Sequence, residues 1–266
     1  MNRRHILAVM HKEWLELIRT RTLLFTLAFV PGALVCLNAF VEYSISTVAQ
    51  NAFHLREGER LLTSIMARYP GINVREAAFV LLNEQSLSLL LVIAAALPAS
   101  IASHAIVGEK VERTLEPLLA TPIKTRDLLL AKCTIAVLPS LVMTWLAYAA
   151  TVACIALIAH QEVALIALRP AWWLSYAVLA PLLSLASSFA AVIASSRVAD
   201  ARTAQGLTSF LLLPVVGVGV STMMGFLYVD VRFVFIETVV LIAFDAMLLW
   251  VAVRLFRRES ILTRWR

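Results

Sequence analysis

Residues 86–107 read SLSLLLVIAAALPASIASHAIV and contain no Asp, Glu, Lys or Arg. A transmembrane helix needs about 20 consecutive apolar residues to cross the hydrocarbon core of a bilayer. This stretch of 22 residues is long enough. In lipid, a helix also satisfies every backbone hydrogen bond within its own segment. The stretch therefore predicts a membrane-spanning helix.

Five further runs of the same character predict an all-α integral membrane protein with six transmembrane helices. We number the runs as spans one to six in chain order: residues 22–41, 86–107, 134–159, 171–194, 207–229 and 234–255. The composition agrees, because 61% of the 266 residues are hydrophobic and 15% are charged. In an average soluble domain, about 45–50% of the residues are apolar and about 25% are charged. No linker or repeat separates the runs, so residues 1–266 are predicted to form one six-span transmembrane domain.

The positions of Lys and Arg predict the orientation of these spans. Segments 1–21, 108–133, 195–206 and the tail from Arg254 hold 17 of the 23 basic residues, and the intervening segments hold six. Cytoplasmic segments carry the excess of Lys and Arg in membrane proteins. Both termini and segment 108–133 are therefore predicted to be cytoplasmic, and residues 42–85 to form an outer loop. The basic residues form no single patch, so nucleic acid is not an expected partner despite the net charge of +6.

Residues 1–21 predict an amphipathic helix at the membrane interface. Leu7, Met10, Trp14, Leu17 and Ile18 recur at helical spacing, and charged residues lie between them. Helices with this pattern lie in the headgroup region with the apolar face buried. A solvated helix close to the membrane is the alternative. For the outer loop 42–85, a solvated helix and a substrate gate both remain open.

Asp245, halfway along span six, is the candidate residue of a translocation path. A charged side chain at the bilayer centre costs at least about 2.5 kcal/mol, so we expect it to face a polar cavity or a partner. It either couples transport to a cation or proton, or is protonated or hydrogen-bonded within the bundle. His104, at the inner end of span two, is interpreted as a structural histidine.

Two stripes of small residues predict close helix contacts, because small side chains let helix backbones approach each other in lipid. In span five, the candidate helix–helix interface consists of Gly217, Ser221 and Gly225. This interface belongs either to the bundle or to a second subunit. In span four, the stripe consists of Ser184, Ser188, Ala191 and Ser195.

Spans one to five each contain one proline: Pro31, Pro98, Pro139, Pro181 and Pro214. Proline removes a backbone donor and crowds the preceding turn of a helix. Such residues either form hinges or curve the helices permanently, and the sequence leaves both possibilities open.

Segment 108–133, which joins spans two and three, contains GEKVERTLEPLLATPIKTRD at residues 108–127. Leu115, Leu118 and Leu119 form a short apolar ridge among charged residues, and two prolines turn the chain. A ridge held at the membrane face is suited to docking in a groove of a soluble partner. A solvated loop is the alternative.

The same segment resembles the membrane-spanning subunits of the ATP-binding-cassette type 2 (ABC-2) permease family. The family pattern Glu-x-x-x-x-Thr-Leu-Glu-x-Leu-Leu-x-x-Pro is matched by Glu109, Thr114, Leu115, Glu116, Leu118, Leu119 and Pro122. Lys132 precedes span three, and the tail FRRESIL at residues 256–262 is similar to the family's Arg-Glu-x-Ile-Leu ending. Pro117 occupies the variable position of the pattern, so the helix is expected to end or kink earlier than usual.

The resemblance implies that the chain is the permease subunit of an ATP-driven exporter in a prokaryotic inner membrane. Residues 109–122 would be the coupling helix, which binds a cytoplasmic ABC ATPase subunit through polar contacts of Glu112, Arg113 and Glu116 and packing of the leucines. A second permease subunit, identical or different, and the lipid bilayer are the other expected partners. ATP and Mg²⁺ would bind the ATPase, since this sequence has no P-loop motif. No catalytic residue, cofactor or metal site is expected in this chain.

Two other functions remain open from the sequence. An ion-coupled transporter or channel built around Asp245 would work without an ATPase. A non-transporting assembly or sensor subunit would bind an ATPase and move no substrate.

Overall fold

The computed structural model describes residues 14–48, 63, 65–67, 73–111, 125–158, 168–198, 200–210, 213, 217 and 229–255. These residues form helices and no strands. Five helices are long and apolar enough to cross a membrane: Arg21–Ser44, Glu76–Gly108, Leu129–Ile158, Pro170–Ser196 and Val231–Leu255. They correspond to spans one, two, three, four and six, so an all-helical, multi-pass membrane protein is confirmed. Most of span five lies outside the described residues, so the count of six spans stays a prediction.

The helices are numbered in chain order as α1 (Arg21–Val48), α2 (Val74–Val111), α3 (Thr125–Ile158), α4 (Pro170–Leu174), α5 (Ala180–Arg197), α6 (Ala201–Ser209) and α7 (Val231–Leu255). A π-helical turn, Ser175–Leu179, joins α4 to α5. These three elements follow one another without a break and make up span four.

The predicted outer loop, residues 42–85, is too long, because both of its ends are helical. α1 continues to Val48 and α2 begins at Val74, well before residue 86. Hydropathy shows only where an apolar run ends. A helix can continue past that point when its polar groups find hydrogen-bond or ion-pair partners. At the start of α2, the Asn73 backbone N–H donates to Oε2 of Glu76 at 2.8 Å, which caps the first turn.

α2 and α5 form the centre of the bundle. α2 packs against α1, α3 and α5, and α5 also packs against α3 and α7. In the most apolar part of α2, 78% of the residues are buried, compared with 6% in α1 and 11% in α7. The exposed faces of α1 and α7 carry large apolar side chains, including Phe25, Phe40, Phe235 and Trp250. Such faces are suited to contact with lipid chains.

The small residues of span four lie in the contacts that the sequence predicts. Ser184, Ser188, Ala191 and Ser195 are all fully buried, and α5, which carries them, packs most extensively against α2. The predicted close contact of this stripe is therefore confirmed.

Pro98 lies inside α2, which continues through it as one helix. Because proline has no N–H, the carbonyl of Ala94 loses its usual donor, and the preceding turn is strained. α5 supplies substitutes. The Ser184 hydroxyl donates to the Ala94 carbonyl at 2.7 Å, and the Ser187 hydroxyl donates to the Ala95 carbonyl. Bonds of this kind are how a bundle tolerates proline in lipid, and they favour a fixed bend over a hinge.

Two other prolines lie beside local hydrogen bonds of their own helices. In α3, the Ser140 hydroxyl donates to the Ala136 carbonyl at 2.7 Å, one residue after the Ile135 carbonyl that loses its usual donor to Pro139. Pro181 follows the π-helical turn, in which the Ala180 backbone N–H reaches back five residues to the Ser175 carbonyl. The wider turn makes room for the proline ring in the preceding helical segment.

We expect Ser184→Ala to lower the free energy of unfolding by about 1 kcal/mol, the usual size of an interhelical hydrogen bond in membranes. In a Pro98→Ala background, the new backbone N–H reaches the Ala94 carbonyl, so the cost of Ser184→Ala should fall towards zero. A double-mutant cycle of unfolding in detergent measures the difference. Ser188→Ala is the control, because Ser188 donates to its own helix and should cost the same in both backgrounds. If Ser184→Ala lowered the free energy of unfolding equally in the wild-type and Pro98→Ala backgrounds, the Ser184 hydroxyl would not be substituting for the donor that Pro98 removes.

α6 covers the ends of α2 and α5 that are predicted to be cytoplasmic. It begins after Asp200, whose carboxylate accepts a hydrogen bond from the Thr203 backbone N–H at 3.1 Å, as in a helix N-cap. This hydrogen bond lowers the pKa of Asp200, so the cap stays charged at neutral pH. Ala204 and Thr208, which belong to α6, are buried.

Candidate functional site

The predicted coupling helix, residues 109–122, begins on the last turn of α2. α2 continues to Val111 and α3 begins at Thr125, so Glu109 is helical and span two continues into the segment without a break. The remaining coupling residues lie outside the described residues: Glu112, Arg113, Thr114, Leu115, Glu116, Leu118, Leu119 and Pro122. Their contacts with a partner stay a prediction.

The two helices that enter and leave this segment are fixed to the rest of the bundle. An apolar cluster, which we call the inner cluster, joins four helices through buried residues: Ile106 of α2, Leu129 and Cys133 of α3, Phe189 and Val192 of α5, and Leu248 and Ala252 of α7. Close-packed interiors have low compressibility and transmit strain. A displacement of the segment therefore reaches α5 and α7 as well as α2 and α3.

A cavity of about 430 Å³ lies beside the same two helix ends. It is bounded by the helical residues 14–19, the turn at Thr20, and parts of α1, α2 and α3. Its lining combines apolar residues (Leu17, Leu23, Ile101, Ile135) with charged or polar ones (Glu16, Arg19, His104, Lys132). No pattern in the sequence marks this cavity, because its lining comes from separate segments.

Residues 14–19 are the described end of the predicted amphipathic helix. Leu17 is buried in an apolar cluster with residues of α2, α3 and α5, whereas Trp14 and Ile18 are exposed. The helix ends at Thr20, whose backbone N–H and hydroxyl both donate to the Glu16 carbonyl, at 3.1 and 2.8 Å. Within residues 14–19, Leu17 thus anchors the helix to the bundle. Its position at the membrane interface stays a prediction.

An ion pair that the sequence did not predict joins α2 to the residue before α4. The Arg169 guanidinium donates to the Glu84 carboxylate, and Glu84 is 7% exposed. Asn83, next to Glu84, and Trp172, three residues after Arg169, are also fully buried. Each charge lies at the edge of a predicted span, where hydropathy alone suggests contact with water. Nothing in a single sequence connects the two.

The π-helical turn carries a second unpredicted group of contacts, centred on Tyr176. Its hydroxyl donates to the Leu87 carbonyl of α2 at 2.6 Å, and its own carbonyl accepts from Trp145 Nε1 of α3 at 3.0 Å. The ring of Tyr148 stacks on it with centroids 4.1 Å apart. These contacts fix the turn to both neighbouring helices. π-helical turns inside α-helices occur frequently at functional sites.

Asp245 lies midway along α7, and its side chain is 8% exposed. Among the described residues, neither carboxylate oxygen has a hydrogen-bond partner. Leu248 and Ala252, one and two turns further on, belong to the inner cluster, so Asp245 lies on the buried side of α7. A carboxylate in such surroundings is stable when protonated or when a ligand or partner reaches it. Within the described part of the chain, no three metal-binding side chains come together.

Of the candidate helix–helix interface in span five, the structure describes Gly217 alone; Ser221 and Gly225 lie outside the described residues. Gly217 is exposed, and a Cβ placed on it meets no heavy atom within 4 Å. The helix–helix interface stays a prediction.

Comparison with known families supports the resemblance of the segment after span two. The model of a family described as ABC-2 family transporter protein matches residues 7–252. A comparison with curated proteins gave no match. The matched range includes the segment 109–122, the cavity, and all of the described helices except the end of α7. The chain belongs to the ABC-2 family of membrane transporter proteins.

Proposed function

We propose that the chain is the transmembrane permease subunit of an ATP-driven exporter. It forms the translocation path together with a second permease subunit, and ATP hydrolysis takes place on a separate cytoplasmic ABC ATPase subunit bound by residues 109–122. Family membership supports the transport role. The observation that carries the coupling is the inner cluster, which fixes both ends of the coupling segment to α5 and α7.

The mechanism is alternating access driven from the cytoplasmic face. ATP binding draws two ATPase subunits together and displaces the coupling helices that rest on them. Nucleotide shifts the equilibrium between the two states only as far as its affinity differs between them. Because four helices share the inner cluster, the displacement changes their position together and opens the path to the other side of the membrane.

Affinity purification of the full-length chain from its native membranes tests the proposal. We expect an ATPase subunit to co-purify, and the complex to hydrolyse ATP faster in the presence of the exported compound. A chain that purifies without any ATPase would exclude an ATP-driven exporter. A stable complex whose hydrolysis and transport no compound stimulates would instead indicate a sensor or assembly subunit.

One observation favours a second candidate function, ion-coupled transport. Asp245 is buried midway along α7, and its carboxylate oxygens have no hydrogen-bond partner in the described part of the structure. Carboxylates in such positions serve proton and cation pathways in many transporters. A transporter of this kind requires no ATPase and depends on the ionisable group itself.

Asp245→Asn separates the two functions. Asparagine keeps the shape of the side chain but removes the ionisable group, so ATP-driven export should continue close to the wild-type rate, whereas ion-coupled transport should stop. The measurement is transport in reconstituted vesicles with and without ATP. Glu237→Gln is the matched control, since Glu237 lies on the same helix and is half-buried. Wild-type transport that proceeds without ATP and is lost in Asp245→Asn alone would contradict the exporter proposal and support the ion-coupled one.

A further inference from the structure

We propose that the cavity at the ends of α1, α2 and α3 binds the phosphate headgroup of an anionic lipid. The cavity lies where α1 and α3 enter the membrane and α2 leaves it. This membrane face is the predicted cytoplasmic one. The proposal depends on the location and lining of the cavity and is independent of the coupling mechanism.

The lining changes from polar to apolar with depth in the membrane. On α2, Gly108 lies at the end of the span, and Ile101 lies about 10 Å deeper, since a helix rises about 1.5 Å per residue. On α3, Ile135 lies almost one turn deeper than Lys132. The apolar end therefore reaches the depth of acyl chains, and the cationic end stays at the depth of headgroups. An amphiphile matches this gradient, whereas a fully soluble ligand leaves the apolar end unused.

The charges of the lining favour an anion. Arg19 and Lys132 contribute two positive charges, and Glu16 contributes one negative charge. Lys132 is 5% exposed, and both Lys132 and Glu16 have further interactions within the chain. The guanidinium of Arg19, which is exposed, provides a planar set of donors that binds phosphate oxygens in pairs, and the ammonium of Lys132 adds a point charge. Basic pockets between transmembrane helices on the cytoplasmic side bind anionic headgroups in this way.

The volume also fits a headgroup. Pockets for small ligands measure about 300–1,000 Å³, and the cavity, at about 430 Å³, accommodates a glycerol phosphate group with the first methylene groups of the chains. The remainder of each acyl chain of the lipid stays in the bilayer. A bound lipid of this kind bridges residues 14–19 to the two helix ends that flank the coupling segment.

Native mass spectrometry of the full-length protein in neutral detergent, titrated with phosphatidylglycerol, tests the site. The wild type should retain phosphatidylglycerol and bind phosphatidylcholine more weakly. Arg19→Gln should weaken phosphatidylglycerol binding about fivefold, the usual contribution of one basic residue at an anionic surface. Arg254→Gln is the matched control, because Arg254 lies at the end of α7 over the Trp250 ring, outside the cavity. It should bind the lipid as the wild type does.

Gly108→Leu tests the cavity without changing its charge. A Cβ at Gly108 meets no heavy atom within 4 Å, so a side chain begins there without a clash, and a leucine at this lining position takes up part of the space for the headgroup. Gly32→Leu is its control: Gly32 has equally open surroundings but lies on α1 away from the cavity. We expect Gly108→Leu to lose the lipid and Gly32→Leu to keep it.

Glycerol 3-phosphate and inorganic phosphate distinguish a lipid from a soluble phosphate compound. Neither should displace phosphatidylglycerol at millimolar concentration, because neither reaches the apolar end of the cavity. Displacement by either one would assign the cavity to a soluble ligand and overturn the lipid proposal. Wild-type lipid binding by both Arg19→Gln and Gly108→Leu, or equal binding of phosphatidylcholine and phosphatidylglycerol, would overturn it as well.

Discussion

Glu116→Lys is expected to abolish transport while leaving the protein inserted in the membrane. In the proposed exporter, the Glu116 carboxylate makes a polar contact with the ATPase subunit. Lysine reverses the charge and leaves the opposing group unpaired. Loss of one partner of such a contact costs about 2–5 kcal/mol, which lowers coupling at least about 30-fold. Reconstituted vesicles that contain both subunits allow transport and ATP hydrolysis to be measured together.

The matched control is Glu59→Lys, the same charge reversal in the predicted outer loop, which should transport at the wild-type rate. Unaffected transport in Glu116→Lys would rule out residues 109–122 as the coupling helix. If both variants lost transport to a similar extent, the cause would be the change in net charge. That result would also contradict the assignment of residues 109–122 as the coupling helix.

Glu84→Ala is expected to lower the free energy of unfolding by about 3 kcal/mol. The substitution removes the carboxylate that pairs with Arg169 between α2 and the start of α4, and removal of one partner from a buried ion pair costs about 3–5 kcal/mol. The lower end of this range applies because Arg169 keeps some exposure to solvent: 23% of its side-chain surface is accessible. Unfolding in detergent, followed by intrinsic fluorescence, measures the change.

The exchange Glu84→Arg with Arg169→Glu tests whether the pair itself is responsible. It restores opposite charges at the same two positions and should recover a large part of the lost stability. Gln85→Ala, at the next position of the same helix, should have a small effect. If the exchange were no more stable than Glu84→Arg alone, the pair would not be the cause.

Hydropathy was sufficient to predict the five described membrane spans, because a bilayer imposes length and apolarity on each span separately. It placed the beginning of α2 too late, since Arg75, Glu76 and Glu84 are polar residues within a helix. Glu76 caps the first turn and Glu84 pairs with Arg169. A helix that extends past the apolar run is stabilised by such local and tertiary partners, which hydropathy does not include.

Contacts between distant parts of the chain could not be predicted from a single sequence. The hydroxyl of Ser184 and the carbonyl of Ala94 are 90 residues apart, and only the packing of α5 on α2 brings them together. Small residues in span four indicated close packing but did not identify the helix that approaches. The cavity was missed for the same reason, because Arg19 and Lys132 become neighbours only in the assembled bundle. The coupling residues were predicted from a local motif, which requires no knowledge of packing, and their role stays a prediction.

The serine hydrogen bonds beside Pro98 restrict how this bundle can deform. Sliding of α2 along α5 by even one residue would break the Ser184–Ala94 and Ser187–Ala95 hydrogen bonds together. Each lost interhelical hydrogen bond would cost about 1 kcal/mol, and the buried Ala94 carbonyl, which has no backbone donor because of Pro98, would be left without a partner. We therefore expect these two helices to move as a single rigid body, and shear to be confined to the loosely buried α1 at the periphery.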